Sequence, residues 1–241
     1  MGFALISHTG KLVCPTQVGT HVVGFLRAFF KNMPTKLFKK PNKPSVEEVE
    51  RYIQLWRKNE SLSLPAKSLE NLFKKFPKNK NIEEIIVKVC TLDVIFSVNV
   101  GRWFLQVSKH ISEYNFDTKF EKDSFNLNEF ALVDIGKSKK RDFYSFTTKY
   151  CSHYKPSDYP IYDSYIEKIL WYFKTTEEYS SFSQFSRKEL KDYATFKRVL
   201  EDFRKFFGLE KFNPREIDKY LWQLGKEVFS EQNKLLTTNS G

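Results

Sequence analysis

Residues 136–170 read GKSKKRDFYSFTTKYCSHYKPSDYPIYDSYIEKIL, and the punctuation of this stretch decides the fold. Gly136 makes a turn that runs directly into Lys137, Lys139, Lys140 and Arg141. Phe143, Phe146, Thr147, Tyr150 and Tyr154 then recur at helical spacing and predict one inward face. Ser145, Lys149 and His153 follow one another at intervals of four and predict a second, solvated face of the same helix. Pro156 ends that helix and Pro160 stiffens the loop. Asp163 or Ser164 caps the next helix, whose buried stripe is Ile166, Ile169, Leu170 and Tyr172 with Phe173.

Upstream of the turn, NEFALVDI at 128–135 reads as a helix closed by Gly136. The local expectation is therefore helix, glycine turn, and a helix that starts with basic residues. Backbone amides at such a start attract phosphate, and the flanking cations add to the attraction.

The other segments read as further helices. Ser45 and Glu48 predict a capping box for a helix with Val49, Tyr52, Ile53 and Trp56 inside. NESLSLP reads as a turn before a short helix at 66–76. Residues 82–113 predict a buried helix through Ile85, Ile86, Val89, Leu92 and Phe96, broken near Gly101. Asp93 within it reads as a hydrogen-bonded structural acid, and Arg102, Lys109 and His110 as a solvated face. Residues 114–127 and 174–185 read as loops. Ser186 with Glu189 opens a helix through Phe207 that stops at Gly208, and Asn213, Pro214 and Glu216 start the last helix. Residues 1–44 read as an irregular segment and a basic linker, with a helix near 20–31 and His8 and His21 as ordinary histidines. Residues 236–241 read as a frayed tail.

Composition sets the class. The chain has 241 residues, 41% hydrophobic and 17% aromatic, which is enough for a sizeable core and excludes disorder. The formal charge of +11 favours a polyanionic partner. Cys14, Cys90 and Cys151 lie far apart without ligand spacing, so zinc is not expected and a reducing compartment is. Neither a signal peptide nor a membrane-spanning run is visible. Ile6 stands where a myristoylation motif requires serine or threonine. The expectation is an intracellular, cytoplasmic protein.

The order of apolar helix, glycine turn, basic helix start, proline-marked loop and helix-opening aspartate resembles the helix-hairpin-helix DNA glycosylase superfamily, 8-oxoguanine DNA glycosylases among them. The resemblance spans about residues 128–170. It implies an all-α fold of two helical lobes around a cleft, with DNA as partner. The activity it implies is hydrolysis of the N-glycosidic bond of a modified or damaged base. It assigns Gly136, Lys137, Lys139 and Arg141 to a hairpin gripping phosphate, aided by a backbone-bound monovalent cation as the one implied cofactor. It makes Asp163 the catalytic carboxylate. A nucleophilic lysine at the start of the first helix would be Lys140, with Lys149 a secondary candidate and His153 beside it. Tyr159 and Tyr162, with Tyr150, Tyr154 and Trp171, would line a pocket for a flipped base. A nucleic-acid-binding protein without chemistry and an interaction protein of a defence or stress system are the alternatives.

Overall fold

The computed structural model describes residues 40–122 and 125–238, with side chains as far as 230. Its helices in chain order are α1 (Val46–Lys58), α2 (Glu60–Lys75), α3 (Ile82–Phe96), α4 (Phe104–Glu113), α5 (Phe116–Phe120), α6 (Leu127–Phe130), α7 (Tyr144–Ser152), α8 (Ser164–Thr175), α9 (Tyr193–Phe206) and α10 (Pro214–Thr238). Two three-residue strands, β1 (Leu132–Asp134) and β2 (Lys140–Asp142), form the one sheet among the described residues. The fold is all-α apart from this hairpin. Pro41–Ser230 group as one compact unit. Most of the expected irregular segment, with its helix near 20–31, His8 and His21, lies outside the described residues, as do 239–241 of the expected tail.

Capping residues set most boundaries. The Ser45 side chain accepts the Glu48 amide at the start of α1, and Asn81 accepts those of Glu83 and Glu84 at the start of α3. Asp93 is half-buried and is satisfied by local donors. Its two oxygens accept the Val100 and Gly101 amides at 2.9 and 2.8 Å, and this fixes the break between α3 and α4. Ser186 and Glu189 form the expected capping box, but it opens a 3-10 turn (Arg187–Lys191), and Asp192 caps α9 separately. Gly208 stops that helix with φ +66°.

Three segments differ from the sequence reading. The expected turn at NESLSLP is helical, because Asn59 caps α2 early and Pro65 is accommodated inside it. The polar stretch after α4 carries α5, whose Phe116 and Phe120 are buried. α10 continues to Thr238, beyond the expected start of fraying at 236.

α7 is the central element. Every residue of Tyr144–Ser152 except Ser145 is buried. Around its C-terminal half the rings of Phe73, Phe116 and Tyr150 meet edge-to-face at 5.2 to 5.7 Å. Phe120 and Tyr159 extend the cluster at 4.7 Å. Each such ring contributes roughly 1.5–3 kcal/mol by burial. At the far side, α10 lies so close to α8 that a Cβ on Gly225 would sit 2.5 Å from the Tyr165 carbonyl oxygen.

Candidate active site around Lys149 and Asp163

The basic turn is not a helical hairpin. Leu132, Val133 and Asp134 pair antiparallel with Asp142, Arg141 and Lys140. Gly136, Lys137 and Ser138 all have positive φ, at 90°, 54° and 56°, and reverse the chain. The Asp134 carboxylate accepts the Gly136 amide at 2.7 Å, and this closes the turn. Short apolar runs such as FALVDI read equally as helix or strand, and here alternation wins, with Val133 buried and its neighbours exposed. Lys140 and Arg141 therefore lie on an exposed strand, not at a helix start. The helical cradle implied for a monovalent cation does not form at 128–141. The hairpin presents Lys137, Lys139, Lys140 and Arg141 to solvent, and Arg141 covers the Phe143 ring at 5.1 Å.

The expected solvated face of α7 is also overturned. Lys149 is 2% exposed, because other elements pack against α7 from every side. Its ammonium donates to Ser145 Oγ at 2.8 Å, the Tyr162 carbonyl at 3.0 Å and Asp163 Oδ2 at 3.3 Å. The Phe96 ring lies 5.8 Å away. Burial pushes the Lys149 pKa below the ordinary lysine value, Asp163 opposes that shift, and the Arg215 guanidinium reinforces it.

Asp163 is the N-cap of α8. Its Oδ1 accepts the Tyr165 amide at 3.0 Å while Oδ2 faces Lys149, and its side chain keeps 18% exposure. The ion pair therefore spans from the interior to the surface. The loop ahead of Asp163 is pinned at consecutive residues. The Pro160 carbonyl accepts the Tyr193 hydroxyl at 3.1 Å, the Ile161 amide donates to Asp218 at 2.8 Å, and the Tyr162 amide donates to Thr148 Oγ1 at 3.1 Å. Tyr162 is buried, its hydroxyl bonds Glu167, and Lys191 lies 4.2 Å over its ring. Tyr159 stacks on Tyr193 at 5.8 Å and is half-buried.

His153 sits one turn beyond Lys149 and stacks on Phe73 at 4.5 Å. Its Nε2 is buried without a hydrogen-bond partner, and burial, with Arg215 adding, lowers its pKa to about 3. It is a neutral ring in the core, not a surface base. Arg215 and Asp218, one turn apart on α10, complete the surroundings and were absent from the sequence reading. Asp218 is 3% exposed, and burial raises its pKa to about 7. Its signal was available, since an aspartate flanked by Ile217, Tyr220 and Leu221 falls within an apolar stripe.

Lys88 was also missed. It is fully buried, and its ammonium donates to the carbonyls of Phe76 and Lys78, to Asn79 Oδ1 and to the Tyr154 hydroxyl at 2.9 to 3.0 Å. Among the described residues no cluster of His, Cys, Asp and Glu is arranged to hold a metal ion. No described helix is long and apolar enough to cross a membrane.

The site thus consists of a buried lysine, a helix-capping carboxylate and a pinned loop, held in an all-α scaffold. Residues 48–158, which carry α1 to α7 and Lys149 but stop short of Asp163, match the family described as HI_0787_N, N-terminal domain. An uncharacterized protein of Haemophilus influenzae is 41% identical over 150 residues, covering 61% of this chain and 69% of that protein. The chain belongs to the family of that Haemophilus protein. No solved structure matches it.

Proposed function

We propose that the chain acts on DNA as a glycosylase-like enzyme that hydrolyses the N-glycosidic bond of a modified or damaged base. The observation that carries this reading is the Lys149–Asp163 pair, a buried amine with a depressed pKa against a carboxylate at the start of α8. Cleaving the base–sugar bond builds positive charge on the sugar, and a carboxylate fixed by a backbone amide stabilises that charge without reorganising. In hydrolysis, a water oxygen bonds to C1′ as the C1′–N bond breaks. The departing base takes the bonding electron pair, and the water proton balances it. Lys149 offers the covalent variant, because a lysine held below its ordinary pKa is more readily the neutral nucleophile. This replaces Lys140 as the candidate nucleophile, since Lys140 is exposed on β2 and, among the described residues, makes no bond to Asp163. The basic hairpin at 137–141 binds phosphate in this reading.

The test is base release from duplexes carrying a panel of modified bases. Asp163→Asn is expected to keep DNA binding and lose release; unchanged release refutes the assignment. Borohydride trapping of a Lys149 adduct, absent in Lys149→Met, tests the covalent variant. A second reading, a nucleic-acid-binding protein that keeps the fold without the chemistry, is favoured by the 2% exposure of Lys149. It predicts salt-sensitive DNA binding with no abasic product.

A further inference from the structure

One face of α10 carries a stripe that neither the hairpin nor the Lys149 pair explains. Arg215, Lys219, Trp222 and Lys226 follow one another at steps of four, three and four, so they share one side of the helix over about 16 Å. Arg215 and Lys219 are half-buried, and among the described residues neither cationic group has a hydrogen bond or an ion pair. Two like charges one turn apart repel, and partial burial strengthens the repulsion. Burial lowers the pKa of each cation, and the repulsion from Arg215 pushes Lys219 further down.

The carboxylates of the same helix hydrogen-bond other groups, while Asp218 still offsets Arg215 and Glu216 offsets Lys219 through space. Glu216 accepts the Asn213 amide, Asp218 the Ile161 amide and Glu227 the Tyr52 hydroxyl. Glu70, exposed on α2, is the remaining acid within electrostatic reach of both cations. Further along, Trp222 meets Trp56 edge-on at 5.8 Å, and the Lys219 and Lys226 ammoniums lie 5.6 and 4.8 Å from the Trp56 and Trp222 rings. The stripe ends in an open groove of about 550 Å³ to which Trp222, Lys226 and Lys58 contribute.

Unpaired cations beside an aromatic platform are what a phosphodiester strand needs. Phosphates neutralise the cations, and a base stacks on a ring. We propose that the Arg215–Lys219–Trp222–Lys226 stripe binds a single nucleic-acid strand, with phosphates on Arg215 and Lys219 and a base against Trp222. The proposal rests on nucleic acid being the substrate class of the Lys149 site, but not on glycosidic cleavage.

The experiment is fluorescence anisotropy of a labelled single-stranded oligonucleotide over a salt series. Arg215→Gln with Lys219→Gln is expected to weaken binding at least tenfold and to flatten the log affinity–log salt slope by about 1.4, roughly 0.7 for each phosphate no longer neutralised. Trp222→Ala is expected to weaken it about fivefold or more with the slope unchanged. Thermal melting is the folding control: the double variant relieves the Arg215–Lys219 repulsion but withdraws Arg215 from buried Asp218, so binding is compared at a temperature below both melting transitions. Titration with inorganic phosphate separates the possible sources of the anion. Millimolar phosphate should raise the wild-type melting temperature less than the oligonucleotide does; an equal rise would mean a free-phosphate site and overturn the strand. Wild-type affinity and slope in the double variant, or no oligonucleotide binding by the wild type at low salt, also overturns it. Base release by Asp163→Asn is a separate readout, so loss of the glycosylase reading leaves this one standing.

Discussion

Asp163→Asn separates the electrostatics of the Lys149 pair from its packing. Asparagine caps a helix as well as aspartate does, so the bond to the Tyr165 amide survives the change. What is lost is the charge on the oxygen 3.3 Å from the Lys149 ammonium. A hydrogen bond to a charged group contributes about 1.5–3 kcal/mol. With Asp163 still 18% exposed and partly screened, about 2 kcal/mol is the expected loss near neutral pH.

The sign of the pH dependence follows from linkage. Folded Lys149 has a depressed pKa, so the unfolded chain binds more protons between that value and the ordinary 10.5, and stability rises with pH across this window. Removing the Asp163 charge lowers the folded pKa further, and the window opens at lower pH. The stability difference between wild type and variant should therefore shrink as pH rises through the wild-type Lys149 titration. Its slope should reach at most about 1.4 kcal/mol per pH unit. Urea unfolding of both proteins from about pH 7 to about pH 10.5 measures it, and the unfolded-state lysine cancels in the comparison. A difference that stays constant across that range would refute the pairing. Asp163→Ala should add about 1 kcal/mol at every pH, because it also removes the cap.

Lys88→Met should cost about 3–5 kcal/mol by chemical denaturation, since it removes a buried ammonium that donates to four oxygens, and leaves the Phe76 and Lys78 carbonyls without it. Burial holds the Lys88 pKa down to about 8, so wild-type stability should rise between pH 8 and 10.5, and the variant should lose that rise. His153→Phe should be neutral or stabilising, because it removes a buried nitrogen that has no partner and keeps the stack on Phe73. His153 is lowered from 6.5 to about 3, so the unfolded chain takes up its proton first; wild type should lose stability as pH falls through that window, and the variant should not. Gly225→Ala gains about 1 kcal/mol of helix propensity but forces a methyl against the Tyr165 carbonyl, so a net loss of about 1–2 kcal/mol in thermal melting is expected.

Where a boundary depends on a local cap, the residues announce it. Ser45, Asp93 with Gly101, Ser186 with Glu189, and Asn213 each sit where a helix begins or breaks. Residues 128–142 misled because FALVDI has no decisive period and because Lys137 and Ser138 are not residues from which positive φ is read. α7 misled for a different reason. Periodicity sorts charged residues to the outside, but a helix packed on every side has no outside, so Lys149 was assigned to solvent. Its partner lies fourteen positions on, and only the loop pinned through Pro160, Ile161 and Tyr162 brings Asp163 back to it. Asp163 is legible as the cap of α8, because an aspartate that opens a helix after two prolines stands out.

The two buried lysines differ in what holds them. Lys88 is satisfied by four oxygens, none of them a carboxylate, and its surroundings are aromatic rings: Phe73, Tyr150 and Tyr154 lie 5.6 to 6.0 Å from its nitrogen. Asn79, which accepts from it, also accepts from Tyr150 and Tyr154 and donates to Asp117, so moving Lys88 would undo a whole network. Lys149 has three acceptors, and the longest of its bonds is to the one carboxylate that still touches solvent. Burial disfavours the ammonium form, and the positive charge of Arg215 adds to that effect, so Lys149 is easier to deprotonate than its own hydrogen bonds would allow. A structural lysine gains from being surrounded, whereas a reactive one needs a weak bond that can open. By that criterion Lys88 staples the fold, and if the proposed function holds, Lys149 is the amine to trap.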